Sequence, residues 1–167
     1  MSKTPERAII VNTSPLVYLY RVGQLDLLSK VYGRILAPAS VHEELLKGRQ
    51  VGADVPDLSV FKWVHIRPLK NSGLLPAVTD LGLGEAEVIG LALEISSSLV
   101  VIDDQLGRKI ARICGLKVTG TLGVLIKAKQ KGHLAAIEPV LRDLEESGFW
   151  IGRELIRMVL TKAGERQ

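Results

Sequence analysis

The chain has one cysteine, Cys114, in 167 residues. No disulfide can form within it, so it reads as a cytoplasmic protein whose thiol serves as a small buried hydrophobe. It has no apolar run long enough for a membrane. The richest window, residues 88–102, is interrupted by Glu94 and by Ser96, Ser97 and Ser98, whereas a span needs ~20 apolar residues. The opening MSKTPERAII lacks the apolar segment and small-residue cleavage site of a signal peptide. Zinc chemistry lacks its ligands: His42, His65 and His133 are scattered, with no cysteines to join them. "HEELL" has Leu46 where HExxH needs its second His, and "GLGEAE" has Glu87 where GxGxxG needs its third Gly. In "GLKVTGTL", Thr121 stands where a phosphate-binding loop needs Lys. No repeat of a solenoid or propeller is visible.

What is present is hydrophobic residues, at 47% with a mean hydropathy of +0.22. That excludes disorder and suits strands buried on both faces. The net charge of +4 and pI near 9.3 admit a polyanionic partner without demanding one, since surface lysines for solubility give the same balance. Short apolar runs alternate with helical patterns. "AIIVN" reads as a strand, and Thr13, Ser14 and Pro15 as the cap and first turn of a helix. A second helix, "QLDLLSKVY", stops at Gly33. "RILAP" is a strand, and "ASVHEELLKG" a helix with Gly48 as its C-cap. "WVHIRP" is a possible strand, and residues 68–83 resemble a linker. "GEAEVIGLALEI" (helix), "LVVI" (strand), "QLGRKIARICG" (helix), "LKVTG" (strand) and "TLGVLIKAKQKG" (helix) follow.

The expectation is a three-layer α/β/α domain with a parallel sheet of four or five strands and right-handed crossovers. Residues 1–133 would form the domain, and residues 134–167 a helical extension packed on it. The extension carries Val140, Leu141, Leu144, Leu155, Ile156 and Val159 at helical spacing, with Phe149 and Trp150 between. Packing on the domain is the plain reading of that face. A dimer face or a groove for a partner protein is the sharper one, because aromatic residues are enriched at interfaces.

An open parallel sheet binds ligands beyond the carboxyl ends of its strands. The strand ends here offer Asn12, the pair Asp103 and Asp104, and Thr119. Glu43 and Glu44 lie one turn into a helix, and Glu85 and Glu87 open another. Carboxylates gathered at one edge repel, and a divalent cation relieves the repulsion; sulfur-free oxygen ligands select Mg²⁺ or Mn²⁺. Such a centre acidifies water and holds a phosphodiester for in-line attack. Each acid also has an ordinary explanation. Glu43 and Glu44 suit a solvent-facing helix, Glu85 and Glu87 favour a helix dipole, and Asp103 or Asp104 can cap the following helix. Arg108 and Arg112 are four apart on one helical face, where they suit phosphates or plain solvent; Lys127 belongs to a basic cluster at a helix C-terminus. "VVIDD" also resembles the acidic pair of a phosphoryl-accepting receiver domain, but there the pair ends the first strand.

Five segments in register resemble the PIN-domain nucleases, and more narrowly the DUF3368 branch. They are "IIVNTSPLVYL", "ILAPASVHEELL", "LGLGEAEVIGLALE", "VVIDDQLGRKIARICGLKVTGTLGVLIKAKQKG" and "SGFWIGRELIRMVLTKAGE". The resemblance implies a Rossmann-like sheet and a Mg²⁺- or Mn²⁺-dependent endoribonuclease. It further implies the toxin of a toxin–antitoxin pair, with RNA, a small antitoxin protein and a second copy as partners. It places the metal-binding positions at Asn12, Glu44, Glu85 and Asp104, with Asp103 a neighbour able to assist catalysis. Ser14 matches the small hydroxyl residue of the first motif, and Arg108, Arg112 and Lys127 would contact RNA. One departure stands out. The family carries Asp at the end of its first strand, and Asn12 brings an amide oxygen without the charge.

Overall fold

The computed structural model describes residues 6–165. Its five strands are β1 (Ala8–Val11), β2 (Ile35–Pro38), β3 (Val64–Arg67), β4 (Ser98–Val101) and β5 (Lys117–Thr119). All pair in parallel in the order β3-β2-β1-β4-β5. The strands are short and apolar because both faces are covered: Ile10, Val11, Ile35, Ala37, Val100 and Val101 are fully buried. Each such valine or isoleucine side chain contributes about 1.5–3 kcal/mol of transfer free energy.

Eight α-helices connect and cover the strands: α1 (Thr13–Arg21), α2 (Leu27–Tyr32), α3 (Ala39–Gln50), α4 (Leu83–Glu94), α5 (Gln105–Ile113), α6 (Thr121–Gln130), α7 (Glu138–Glu146) and α8 (Arg153–Lys162). Helices α3, α4 and α5 pack in sequence, with α4 lying against β1, β2 and β4. On the other side α6 touches α1, α2 and α8, and α7 packs on α1. Residues 134–165 share the core through Ile137, Val140, Leu141, Leu144 and Val159, and an aromatic contact and a carboxylate add to that packing. Phe149 meets the Tyr18 ring edge-on at 5.0 Å. Glu165 accepts from Lys129 Nζ at 2.8 Å and from the backbone amides of Ile137 at 2.7 Å and Glu138 at 3.1 Å. Among the described residues no helix is long and apolar enough to cross a membrane.

The topology locates the functional edge. After β1 the chain builds outward through β2 and β3, then returns to place β4 on the other side of β1. The crevice therefore lies where β1 and β4 end side by side. Val11 pairs with Val101, and Val101 with Thr119. One more residue along each strand delivers Asn12, Ile102 and Gly120, and one further delivers Asp103.

Three local readings are corrected. Helix α3 continues past Gly48 to Gln50, and the glycine with the left-handed backbone of a helix end is Gly52, at φ 80°. Gly48 is instead a packing position, where a Cβ would stand 3.3 Å from Val55. Helix α1 begins at Thr13, with Asn12 in the cap position but making no side-chain cap; its Nδ2–H donates to Glu85. Cys114 is exposed. It follows the last turn of α5, where Ala111 faces the core and Cys114 turns to solvent.

Candidate functional site

A cavity of about 540 Å³ opens at the carboxyl edge of the sheet, between the start of α1, the first turns of α3 and the start of α4. Asn12, Ser14, Glu44 and Glu85 all line it. Each arrives for a simple reason: β1 ends on Asn12, α1 begins there, α3 follows β2 directly, and α4 starts over the β1 end.

The polar groups are paired across elements. Asn12, only 2% exposed, donates its Nδ2–H to Glu85 Oε1 at 3.2 Å. Thr13 Oγ1 donates to Glu44 Oε2 at 2.8 Å. Gly84 lies on the floor between them. A Cβ there would stand 3.1 Å from Asn12 Oδ1 and 3.6 Å from Glu44 Oε2. The amide oxygen and the carboxylate thus both approach Gly84, where a side chain would crowd the Asn12 oxygen. Lys47 and Arg21 line the same cavity. Arg21 is held by the Asp54 carbonyl at 2.9 Å and lies 5.9 Å above the Tyr18 ring centre.

The two aspartates differ. Asp104 is exposed and caps α5, its Oδ2 accepting the Gly107 amide at 2.7 Å. It does not line the first cavity but lies near the stem of Glu85, since a Cβ on Gly107 would meet Glu85 Cγ at 3.3 Å and Asp104 Oδ2 at 3.4 Å. Asp103 is half-buried. Its oxygens accept from the Thr121 amide at 2.7 Å, the Thr121 hydroxyl at 2.6 Å and the Ser14 hydroxyl at 3.5 Å. Burial pushes its carboxyl above the usual carboxylate range, against the opposing pull of Thr121, Arg108 and Ser14. Arg108 donates Nη1 to the Ile102 carbonyl at 2.9 Å. Burial and the neighbouring Arg112 charge draw its pKa down, and Asp103 opposes them.

Asp103 and Arg108 face a second cavity of about 460 Å³, walled by apolar residues of α6 and α8 together with Phe149 and Trp150. Ser14, on the wall of the first cavity, bonds to Asp103 on the wall of the second, so one hydrogen bond separates the two hollows.

The fold therefore brings Asn12, Ser14, Glu44 and Glu85 around one space, with Asp104 beside Glu85 and Asp103 behind Ser14. Arg112 is exposed next to Arg108. Lys127 is exposed on α6 and lines neither cavity. Among the described residues, no three of His, Cys, Asp or Glu form a ready metal cluster; the third oxygen-bearing group beside Glu44 and Glu85 is the amide of Asn12. Sequence reasoning missed Thr13, Lys47, Gly84 and Thr121. Lys47 was findable, three residues after Glu44 on the same helical face. Gly84 and Thr121 have no signal short of the tertiary structure, because each matters through its approach to a distant element.

The parallel order, the crevice at the β1–β4 switch and the oxygen-lined cavity define a PIN-like domain. The sequence matches the DUF3368 family, described as PIN domain, over residues 8–165. The chain belongs to that family, whose fold is generally that of nucleases. A solved PilT N-terminus domain protein from the hyperthermophilic archaeon Sulfolobus solfataricus P2 has the same fold. It superposes with a TM-score of 0.53 at 16% identity, covering 70% of this chain and 88% of that one. No curated protein matches the sequence.

Proposed function

We propose that this PIN domain is a Mg²⁺- or Mn²⁺-dependent endoribonuclease, the toxin of a toxin–antitoxin pair. The observation that carries the metal-dependent part is the convergence of Asn12 Oδ1 and Glu44 Oε2 above Gly84, with Glu85 hydrogen-bonded to the same Asn12 amide group. Hard oxygen donors of this kind suit Mg²⁺ or Mn²⁺, which keep several waters and take only a few protein ligands. Asn12, Glu44 and Glu85 would hold the ion, with Asp104 assisting through the oxygen its cap leaves free. When bound, the ion supplies Lewis acidity toward a phosphodiester oxygen and lowers the pKa of a water.

The chain's own groups do the rest. Thr13 fixes the rotamer of Glu44, and the Asn12 amide fixes that of Glu85, so both carboxylates are oriented in advance. The Ser14 hydroxyl is a donor for a phosphate oxygen entering the cavity. Lys47 and Arg21 on its wall attract the phosphodiester by charge. Arg108, Arg112 and Lys127 would contact RNA outside the cavity. The apolar hollow beside Trp150, a residue 85% exposed, would take the protein partner: the small antitoxin, or a second copy of the chain.

One observation favours a second reading. The Asn12 N–H satisfies Glu85 without any cation, which suits a domain that keeps RNA or protein binding while catalysis is weakened. Asn12→Asp and Glu85→Gln decide between the two. Asn12→Asp puts a third negative charge against two others. It should lower the melting temperature in EDTA and raise it in Mn²⁺ relative to the parent protein. For a nuclease, the parent cleaves single-stranded RNA with Mn²⁺, and Glu85→Gln loses that activity by more than ~10²-fold, beyond the roughly 10–100-fold effect of altering a group that merely supports a ligand. An inert parent made active by Asn12→Asp establishes the weakened-site reading instead.

A further inference from the structure

A third hollow, of about 180 Å³, lies away from both cavities, and three arginines line it: Arg7, Arg34 and Arg67. Arg7 precedes β1 and Arg34 precedes β2, both at the amino edge of the sheet, while Arg67, level with Pro38 at the carboxyl end of the neighbouring β3, lines the same hollow. All three are exposed. The four ion pairs among the described residues are Lys30–Asp26, Arg49–Asp57, Lys129–Glu165 and Arg142–Glu138, and none involves these arginines. The carboxylate on the wall is Glu6, which is also absent from those pairs.

Cations along an exposed edge strand are ordinary, since they discourage strand addition. That accounts for Arg67 on β3, whose sheet edge also carries exposed His65. It does not account for Arg7 and Arg34, which lead into the interior strands β1 and β2. Three cations lining one hollow against the single carboxylate of Glu6 leave an excess of positive charge, and an anion offsets that excess. Guanidinium forks match phosphate oxygens, and a hollow of this size suits a single phosphate group rather than a base.

We propose that this arginine hollow binds a backbone phosphate of RNA, as a second anchor distinct from the cavity of Asn12, Glu44 and Glu85. The inference rests on the nucleic-acid reading of the chain. Free phosphate shares the same chemistry, and the test separates the two sources.

Binding of a fluorescein-labelled, uncleavable 2′-O-methyl single-stranded RNA is measured against salt in EDTA for the parent, Arg34→Ala with Arg67→Ala, and Glu6→Gln. The double variant should bind more weakly. Its slope of log K against log salt should be shallower by about 0.7 for each phosphate that is no longer neutralised. Glu6→Gln should bind more tightly than the parent, an outcome that a purely structural role for the hollow would not produce. Melting temperatures should be unchanged, because the altered side chains are exposed. A parent that binds RNA with the same slope as the double variant overturns the anchor while leaving the RNA reading intact. A parent that binds no RNA at any salt overturns the RNA reading itself. In that case, calorimetric binding of inorganic phosphate by the parent and not by the variant would assign the hollow to free phosphate and overturn the backbone assignment.

Discussion

The ends of β1 and β4 lie side by side, and both carry side chains with carbonyl or carboxylate oxygen, yet they are used differently. At β1 the Asn12 amide oxygen and Glu44 Oε2 face an open space above Gly84. At β4 the Asp103 oxygens are taken by Thr121 and Ser14, and one Asp104 oxygen by the Gly107 amide. The denser concentration of acid in the sequence, "DD", is the end more committed to holding the fold. The end with no acid of its own is the one left open to a ligand. A strand-end carboxylate can serve a ligand only through an oxygen that amide and hydroxyl donors leave free.

That contrast can be broken from the β4 side. Thr121→Val removes a fully buried hydroxyl that bonds to Asp103. The variant should lose about 1–3 kcal/mol in urea unfolding, the usual consequence of leaving a buried polar partner unsatisfied. No loss would mean that Asp103 has other donors to turn to.

Asp104 gives the next largest effect and the sharpest test, because its two duties separate. Asp104→Ala removes the cap of α5 and should cost about 0.5–2 kcal/mol, while Asp104→Asn keeps it, since Asn caps as well as Asp. If Asp104 also assists at the metal, Asp104→Asn lowers Mn²⁺-dependent cleavage at unchanged stability. Cleavage equal to the parent's confines Asp104 to the cap.

The smallest effect concerns a carboxylate far from either strand end. Burial raises the Glu165 carboxyl, but hydrogen bonds from Lys129, Ile137 and Glu138 outweigh it and hold it below its ordinary value. A depressed folded value contributes stability above the unfolded pKa of about 4.3, and that stability is lost as pH falls through the folded value. Glu165→Gln should therefore flatten the fall in urea midpoint below about pH 4.3. An unchanged acid limb would show that the extension is held by Phe149 and its apolar neighbours alone.

Much of the fold was legible because it is written in local pattern. Runs such as "AIIV" and "LVVI" read naturally as strands buried on both faces, and their alternation with helical segments predicts the parallel sheet that is found. The convergence of Asn12, Glu44 and Glu85 was legible only as far as the rule that strand ends build sites, together with the family resemblance. The remainder depended on distant partners. Nothing near Asp104 distinguishes a metal ligand from a cap, because the deciding group is an amide three residues on. Cys114 and Gly48 were misread for a similar reason: composition gives a residue's preference, and the helix phase set by Ala111 or the approach of Val55 decides its place.

The Ser14 hydroxyl carries a single hydrogen, and its oxygen lies 3.5 Å from Asp103 Oδ2, a long contact across the partition. Any occupant of the first chamber that claims that hydrogen strips one tie from the wall of the second. The two chambers are therefore not independent compartments but adjoining rooms with a shared latch.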